Sequence, residues 1–283
     1  MATQTTEACR NAFELTLERT RLNKWQLFVT PSRIAYVGLL GSPGTRILGA
    51  TTLYLSLGSP FRIGQRDDQP REALSSIVPA YVPHRIETAD RNIAEVLIES
   101  ESVEPDAVIE RLAGSRCKAE RTANRVLEGF RRAQDRPAAE GSLDLDALFF
   151  DSPLPQRKLD PRIATAIERI NKNPAEKHPA ESLADQTGLS FSRFTHLFCE
   201  QTGTTLRSFR AWKRARGVMH FFKSSHNLLD AALNMGYADS THFSHALRQF
   251  YGLSPRDMFA GARGVTVFEQ KAPTGSGANA FLR

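Results

Sequence analysis

Apolar residues in the first hundred positions come in short runs rather than long stretches. WQLFV (Trp25–Val29), RIAYV (Arg33–Val37), TTLYLSL (Thr51–Leu57), FRI (Phe61–Ile63), IV (Ile77–Val78) and IAEVLI (Ile93–Ile98) are rich in β-branched and aromatic side chains. Gly, Pro, Asp and Asn separate them, at GSPG (Gly41–Gly44), GSP (Gly58–Pro60) and DDQP (Asp67–Pro70). Short strands with tight turns and no long helix between them predict a small antiparallel barrel or sandwich over residues 24–103. The period changes at Glu104 and Pro105, proline being tolerated in a first helical turn. PDAVIERLAG (Pro105–Gly114) and SRCKAERTANRVLEGF (Ser115–Phe130) then read as two helices. Their apolar stripe is Val108, Leu112, Ala119, Ala123, Val126, Leu127 and Phe130. Such a stripe either packs on its own sheet or forms a dimer interface.

Residues 133–160 carry Pro137, Pro153 and Pro155, and one sticky apolar cluster, LDLDALFF (Leu143–Phe150). The stretch reads as a linker with a segment able to dock on a neighbouring domain. At the other end, PTGSGAN (Pro273–Asn279) marks the residues from Gly264 onward as a frayed tail.

Between these segments one pattern occurs twice. LADQTGLSFSRFTHLF (Leu183–Phe198) and AALNMGYADSTHFSHAL (Ala231–Leu247) each place an alanine (Ala184, Ala232) four residues before a glycine (Gly188, Gly236). A small polar residue follows (Ser190, Ser240), then an apolar pair at i,i+4 (Phe194 and Phe198; Phe243 and Leu247). The implied unit is a short helix, a turn needing a permissive residue, an N-cap and a second helix packed on the first. That unit is a helix-turn-helix. A helix over about Asp160–Asn171 precedes it, with Ile163, Ala166, Ile167 and Ile170 on one face. The two copies are joined by LRSFRAWKRARGVMHFF (Leu206–Phe222), read as one helix. Leu206, Phe209, Trp212, Ala215, Met219 and Phe222 form its apolar side, and Arg207, Arg210, Lys213, Arg214 and Arg216 its basic side.

Charge supports this division. The chain has 283 residues and a formal net charge of +6. Residues 161–263 hold 14 Lys/Arg against 8 Asp/Glu, so the excess lies there and the remainder is near neutral. Six of the seven histidines fall in the same stretch. A basic module beside a neutral one points to nucleic acid as a partner. In a helix-turn-helix the second helix enters the major groove and its N-terminal polar residues reach base edges. Arg193 is placed to donate to guanine O6 and N7, while His and Ser read several bases. Arg210, Lys213 and Arg214 would hold phosphates, and two such readers on one connector would occupy adjacent major grooves of double-stranded DNA. Three scattered cysteines, Cys9, Cys117 and Cys199, fit neither a disulfide scaffold nor a thiolate metal site. The chain shows no apolar run long enough to span a membrane and no secretory h-region, so the expected compartment is the cytoplasm.

These residues carry a family resemblance. The segment ALNMGYADSTHFSHALRQFYGLSPRDMF (Ala232–Phe259), clearest at FYGLSP (Phe250–Pro255), resembles the signature of the AraC/XylS family of bacterial transcription regulators. Leu183–Arg216 follows the same course, and the resemblance covers about residues 160–262. It implies base-facing Ser192, Arg193 and His196 in the first reader, and Thr241, His242 and His245 in the second, flanked by Ser240 and Arg248. It departs where His245 replaces a common arginine, Leu247 a common aromatic and Leu206 a common proline. The implied fold class is α+β, a cupin-like β-barrel with flanking helices followed by an all-α double helix-turn-helix. The boundaries read as residues 1–135 for effector binding or dimerisation, 136–159 for the linker, 160–263 for DNA binding and 264–283 for the tail. The resemblance further implies a homodimer, a contact with RNA polymerase and an activating role.

The N-terminal domain offers little chemistry. VPAYVPHRI (Val78–Ile86) resembles the proline-flanked turn of cupins, yet His84 stands alone there, so neither a metal site nor metal chemistry is expected. No nucleophile–base arrangement appears, and GLLGSPG (Gly38–Gly44) lacks the Lys-Ser/Thr of a P-loop. RIGQR (Arg62–Arg66), with Arg46 and Arg33, resembles the arginine element by which PilZ domains hold cyclic di-GMP, although the companion D/N-x-S-x-x-G element is missing. Paired guanidiniums can fork onto phosphates and stack on guanines. The alternative is a solvated turn. On sequence alone two further functions stay open, an effector-independent architectural DNA-binding protein and an enzyme with an appended DNA-binding domain.

Overall fold

A computed structural model of the chain describes residues 25–40, 44–65, 68–89, 92–113, 116–134, 144–150, 152–222, 228–261 and 264–270. The described strands form two sheets. The larger contains, in spatial order, β10 (Thr266–Glu269), β1 (Gln26–Val29), β2 (Arg33–Leu39), β9 (Asn92–Glu99), β4 (Ala50–Ser56) and β7 (Ser75–Val78). The smaller contains β3 (Thr45–Arg46), β8 (His84–Glu87), β5 (Phe61–Gln65) and β6 (Arg71–Ala73). Pairing is antiparallel except between β10 and β1. Among the described residues no ladder joins the two sheets, so the expected cupin-like barrel is seen as two sheets rather than a closed cylinder.

Strand period 2 divides the larger sheet into two faces. Ala35 and Val37 of β2, Leu53 and Leu55 of β4, and Ala94, Val96 and Ile98 of β9 share one apolar cluster. Over that cluster lie α1 (Pro105–Ala113) and α2 (Arg116–Gln134), inserting Val108, Leu112, Ala123, Val126, Leu127 and Phe130. The helical stripe is therefore occupied by the protein's own sheet, the first of the two alternatives. The sticky segment forms α3 (Leu145–Phe149), capped by Asp144, whose carboxylate accepts from Ala147 N at 2.9 Å. Leu145, Phe149 and Phe150 join the same cluster.

The opposite face presents Ile34, Tyr54, Ile93 and Leu97, and this face meets the C-terminal helices. Those helices are α4 (Pro161–Lys172), α5 (Ala180–Gln186), α6 (Phe191–Thr202), α7 (Leu206–Gly217), a 3-10 turn (Val218–Phe221), α8 (Leu228–Asn234), α9 (Ser240–Tyr251) and α10 (Pro255–Gly261). The first helix-turn-helix has a separate core of Ile163, Ile167, Ile170, Leu183, Phe194, Phe198 and Phe209. The second does not. Phe243, Leu247, Phe250 and Tyr251 belong to one cluster with Leu27, Ile34, Tyr54 and Leu97 of the sheets.

Parity also explains the joint between the two halves. Glu95 and Glu99 alternate with Ile93 and Leu97, so their carboxyls lie on the inner face of β9. Glu99 is fully buried and accepts from Trp212 Nε1 at 3.0 Å and Arg216 Nε at 2.7 Å, and it is ion-paired with Lys213. Lys213 also pairs with Glu101. The indole of Trp212 lies against Gly49, where a Cβ would stand 2.2 Å from Cγ, so only glycine permits this approach. Lys213 and Arg216 both belong to the connector's basic side, with Lys213 expected as a phosphate ligand, but they point into the N-terminal sheet. Their positions at i and i+3 place them on the flank nearest Glu99.

The tail expectation also requires correction. Residues 266–269 form β10 beside β1, and Phe268 stacks on Phe28 with centroids 4.5 Å apart. Gln270 N donates to Val29 O at 2.9 Å, and Glu269 pairs with His220 of the 3-10 turn. Pro273–Asn279, the segment that motivated the tail reading, lies outside the described residues.

Two stability experiments follow. Replacing Glu99 with Gln leaves two buried cations without their shared anion, a change expected to cost about 3 kcal/mol. Urea unfolding measures it, and an unchanged midpoint would show that the cluster does not hold the halves together. The second experiment concerns pH. Burial, with smaller opposing and reinforcing contributions from Val82 O and the Arg46 charge, brings the His84 pKa down to about 4. The folded form thus favours the neutral ring, and stability falls as pH drops from about 6.5 toward 4, by about 3 kcal/mol. Burial pushes the Glu99 carboxyl up, but Lys213 and Arg216 outweigh it and hold it below the ordinary value, so its contribution is lost at more acidic pH. His84→Gln should flatten the stability profile above pH 4 and leave the lower limb. An identical slope in the variant would remove His84 as its cause.

Candidate nucleic-acid interface and interdomain cavity

Each reader helix is fixed by the local chemistry its sequence announces. In the first unit α5 ends at a turn where Gly188 has φ +67°, and Ser190 caps α6 by accepting from Arg193 N at 3.3 Å. Phe194, Leu197 and Phe198 are buried, which turns Ser192, Arg193, His196 and Glu200 outward. In the second unit Gly236 has φ +68°, and the cap is Asp239, accepting from His242 N at 2.7 Å. The cap expected at Ser240 thus moves back one residue. Ser240 becomes the first residue of α9. Phe243, Leu247 and Phe250 are buried, leaving Thr241, His242, His245 and Arg248 exposed.

Along α7, reaching the second reader at His242, runs an open groove of about 480 Å³ lined by Lys177, His178, Pro179, Arg207, Arg210, Ala211, Arg214 and His242. Arg210 donates to His178 O and is half-buried. Burial first, then the Arg214 charge, holds its guanidinium below the usual arginine value, with Glu181 opposing. Arg214 lies over the Tyr237 ring at 5.8 Å. The groove keeps Arg210 and Arg214 of the expected phosphate-binding set, adds Lys177 and Arg207, and excludes Lys213. Lys177 lies before the first unit, outside the repeat and connector, so the pattern gave no reason to single it out.

Tyr36, Glu95 and Arg46 mark a second site on the inner face. A cavity of about 270 Å³ lies between the larger sheet and the C-terminal helices, walled by Leu27, Ile34, Leu40, Ile93, Leu97, Met219, Tyr251 and Met258. Arg46 of β3 is 4% exposed and lines it. Among the described residues neither its Nε nor its Nη2 has a hydrogen-bond partner, nor do Glu95 Oε2 and the Tyr251 hydroxyl. Burial raises the Glu95 pKa, with Arg46 opposing. Next to it Tyr54 OH meets His84 Nε2 at 2.8 Å, and His84 Nδ1 meets Val82 O at 2.9 Å, so the lone histidine is held by structure.

Of the four arginines considered for a nucleotide, the three described ones face different surroundings. Arg33 forks Asp146 through Nε at 3.0 Å and Nη2 at 3.2 Å, and also donates to Ser102 Oγ. Arg62 is exposed on the smaller sheet, Arg46 faces the cavity, and Arg66 lies outside the described residues. Among the described residues Arg33, Arg46 and Arg62 are thus not brought together. Among the described residues no three His, Cys, Asp or Glu are grouped to hold a metal, and no helix is long and apolar enough to cross a membrane.

Comparison with known proteins places the two units in context. Residues 183–261 match a family model described as a helix-turn-helix domain. The regulator AlkR of Acinetobacter baylyi is 30% identical over 99 residues, covering 35% of this chain and 32% of AlkR. The activator RhaS of Citrobacter koseri is 30% identical over 103 residues, covering 36% and 37%. The matched stretches thus span about a third of these relatives' length. The crystal structure of ToxT from Vibrio cholerae O395 shares the fold at 11% identity, with a TM-score of 0.52 over 83% of this chain and 100% of that one. Over the matched stretches these comparisons support family-level homology with the AraC/XylS-type transcriptional regulators, and the fold is shared with ToxT over most of the chain.

Proposed function

We propose that the chain is a sequence-specific, non-enzymatic DNA-binding transcription regulator whose output depends on a small effector held against its N-terminal domain. One observation carries the DNA-binding half. Both reader helices bury their apolar faces and expose their first-turn polar residues, and a groove lined by Lys177, Arg207, Arg210 and Arg214 reaches the second of them at His242. Base edges would be read from Ser192, Arg193 and His196 in one major groove, and from Thr241, His242, His245 and Arg248 in the next. The groove cations suit the phosphates between them.

Support for the effector half comes from the cavity at the domain boundary. Ligand sites favour such boundaries, with mostly apolar walls and a few polar groups. An architectural protein without an effector would not account for a buried guanidinium facing open space.

The DNA-binding reading is tested by competition on a duplex selected from a random pool. Wild-type chain should prefer it to a scrambled duplex at fixed salt, and equal binding would remove the reading. Arg193→Ala should lose about 1–3 kcal/mol of discrimination at one guanine. Arg207→Ala should weaken all duplexes alike and reduce the salt slope by about 0.9 for its phosphate. A uniform loss for Arg193→Ala would assign that residue to phosphate instead.

A further inference from the structure

We propose that the interdomain cavity binds a small organic acid, an apolar body ending in a carboxylate gripped by the side-on edge of Arg46. The proposal deepens the effector reading above and rests on it.

The argument begins with one edge of one guanidinium. Nε–H and Nη2–H of arginine run parallel and match the two oxygens of a carboxylate. The protein itself uses that edge twice. Arg33 forks Asp146 through Nε and Nη2, and Arg162 forks Asp160 at 3.0 and 2.8 Å through the same atoms. At Arg46 these are the very nitrogens without a partner among the described residues, although the residue is 4% exposed. Buried donors left without an acceptor are costly, and native proteins rarely leave them so. Arg46 also cannot turn away to solvent readily, because β3 pairs with β8 in the register Arg46↔His84, with the side chain inward.

The cavity's own acid does not fill the fork. Glu95 Oε2 is also without a hydrogen-bond partner, and burial moves its carboxyl toward the neutral form. The Arg46 charge acts on Glu95 through space, but the Nε–Nη2 edge stays open to a second acceptor.

The remaining walls define the rest of the molecule. Leu27, Ile34, Leu40, Ile93, Met219 and Met258 supply an apolar surround, with the thioethers able to adjust to shape. A volume of about 270 Å³ lies just under the usual range for drug-sized ligands, which favours a compact acid over a nucleotide. Leu27, Ile34 and Ile93 come from the sheet, whereas Met219, Tyr251 and Met258 come from the helices around the second reader. A ligand there touches both halves at once.

The test uses the full chain with octanoate and 4-phenylbutyrate, each beside its primary amide. Calorimetry should show binding of at least one acid, with its amide at least tenfold weaker, and the acid should raise the melting temperature. Arg46→Gln should weaken the acid at least tenfold more than it weakens the amide. Met258→Trp, which fills the cavity while keeping Arg46, should abolish binding and serves if Arg46→Gln does not fold. Acid and amide binding equally, or acid binding unchanged in a folded Arg46→Gln chain, would overturn the carboxylate assignment. If the amides bound and altered affinity for the selected duplex, the effector reading would survive that failure. If no probe bound and Met258→Trp left DNA binding untouched, both would fall.

Discussion

Glu99 is a carboxylate on the inner face of a buried central strand, and water cannot reach it. It must therefore be met by protein donors, and those in place come from one turn of α7: the Trp212 indole, the Lys213 ammonium and the Arg216 guanidinium. This requirement lays α7 against the N-terminal sheet and fixes the rotation of the helix about its axis. With Lys213 and Arg216 turned inward, Arg207, Arg210 and Arg214 are left toward the basic groove. The division of one basic helix into an interdomain flank and a groove-facing flank follows from a single strand residue.

The two readers are consequently held in different ways. The first unit closes its own core and meets α7 through Phe209. The second shares its core with the sheets: Tyr251 and Phe250 pack on Trp212 at 5.8 and 5.6 Å, and Ile47 N donates to Gln249 O at 3.0 Å. The exposed face of α9 lies away from these contacts, so docking onto the sheet leaves Thr241, His242, His245 and Arg248 accessible. Contacts with the N-terminal sheets thus position the second reader, whereas α7 positions the first.

Much of this was legible because the signals were local. The turn glycines Gly188 and Gly236, the cap at Ser190 and the buried aromatic pair Phe194 and Phe198 depend only on residues a few positions apart. What was missed depended on partners distant in sequence. Lys213 reads as a phosphate ligand until Glu99, 114 positions away, is placed beside it. Glu95 and Glu99 did carry a signal, since charges at alternate positions of an apolar strand belong on its buried face, but alternation alone does not say what meets them. Short strands β3, β6 and β8 are two to four residues long, too brief for a period to show. Val267 and Phe268 were hidden by the Pro- and Gly-rich segment that follows. The cap stands four residues before the buried phenylalanine in both units, Ser190 before Phe194 and Asp239 before Phe243, so in the second it falls on Asp239 rather than Ser240.

A ligand shifts an equilibrium only by its difference in affinity between two states. The cavity walls make that difference specific. They include Tyr251 at the end of α9, Met258 of α10 and Met219 of the 3-10 turn, and none of the residues that build the first reader. Any occupant that alters this packing therefore changes the second reader relative to the first, and by linkage DNA engaged across both readers changes the occupant's affinity by the same factor. The Glu99 cluster does not line the cavity. Under the proposed function, ligand and DNA would communicate through the seating of α9 while α7 stays docked, a smaller movement than separation of the two halves, and one that leaves the buried charges paired throughout.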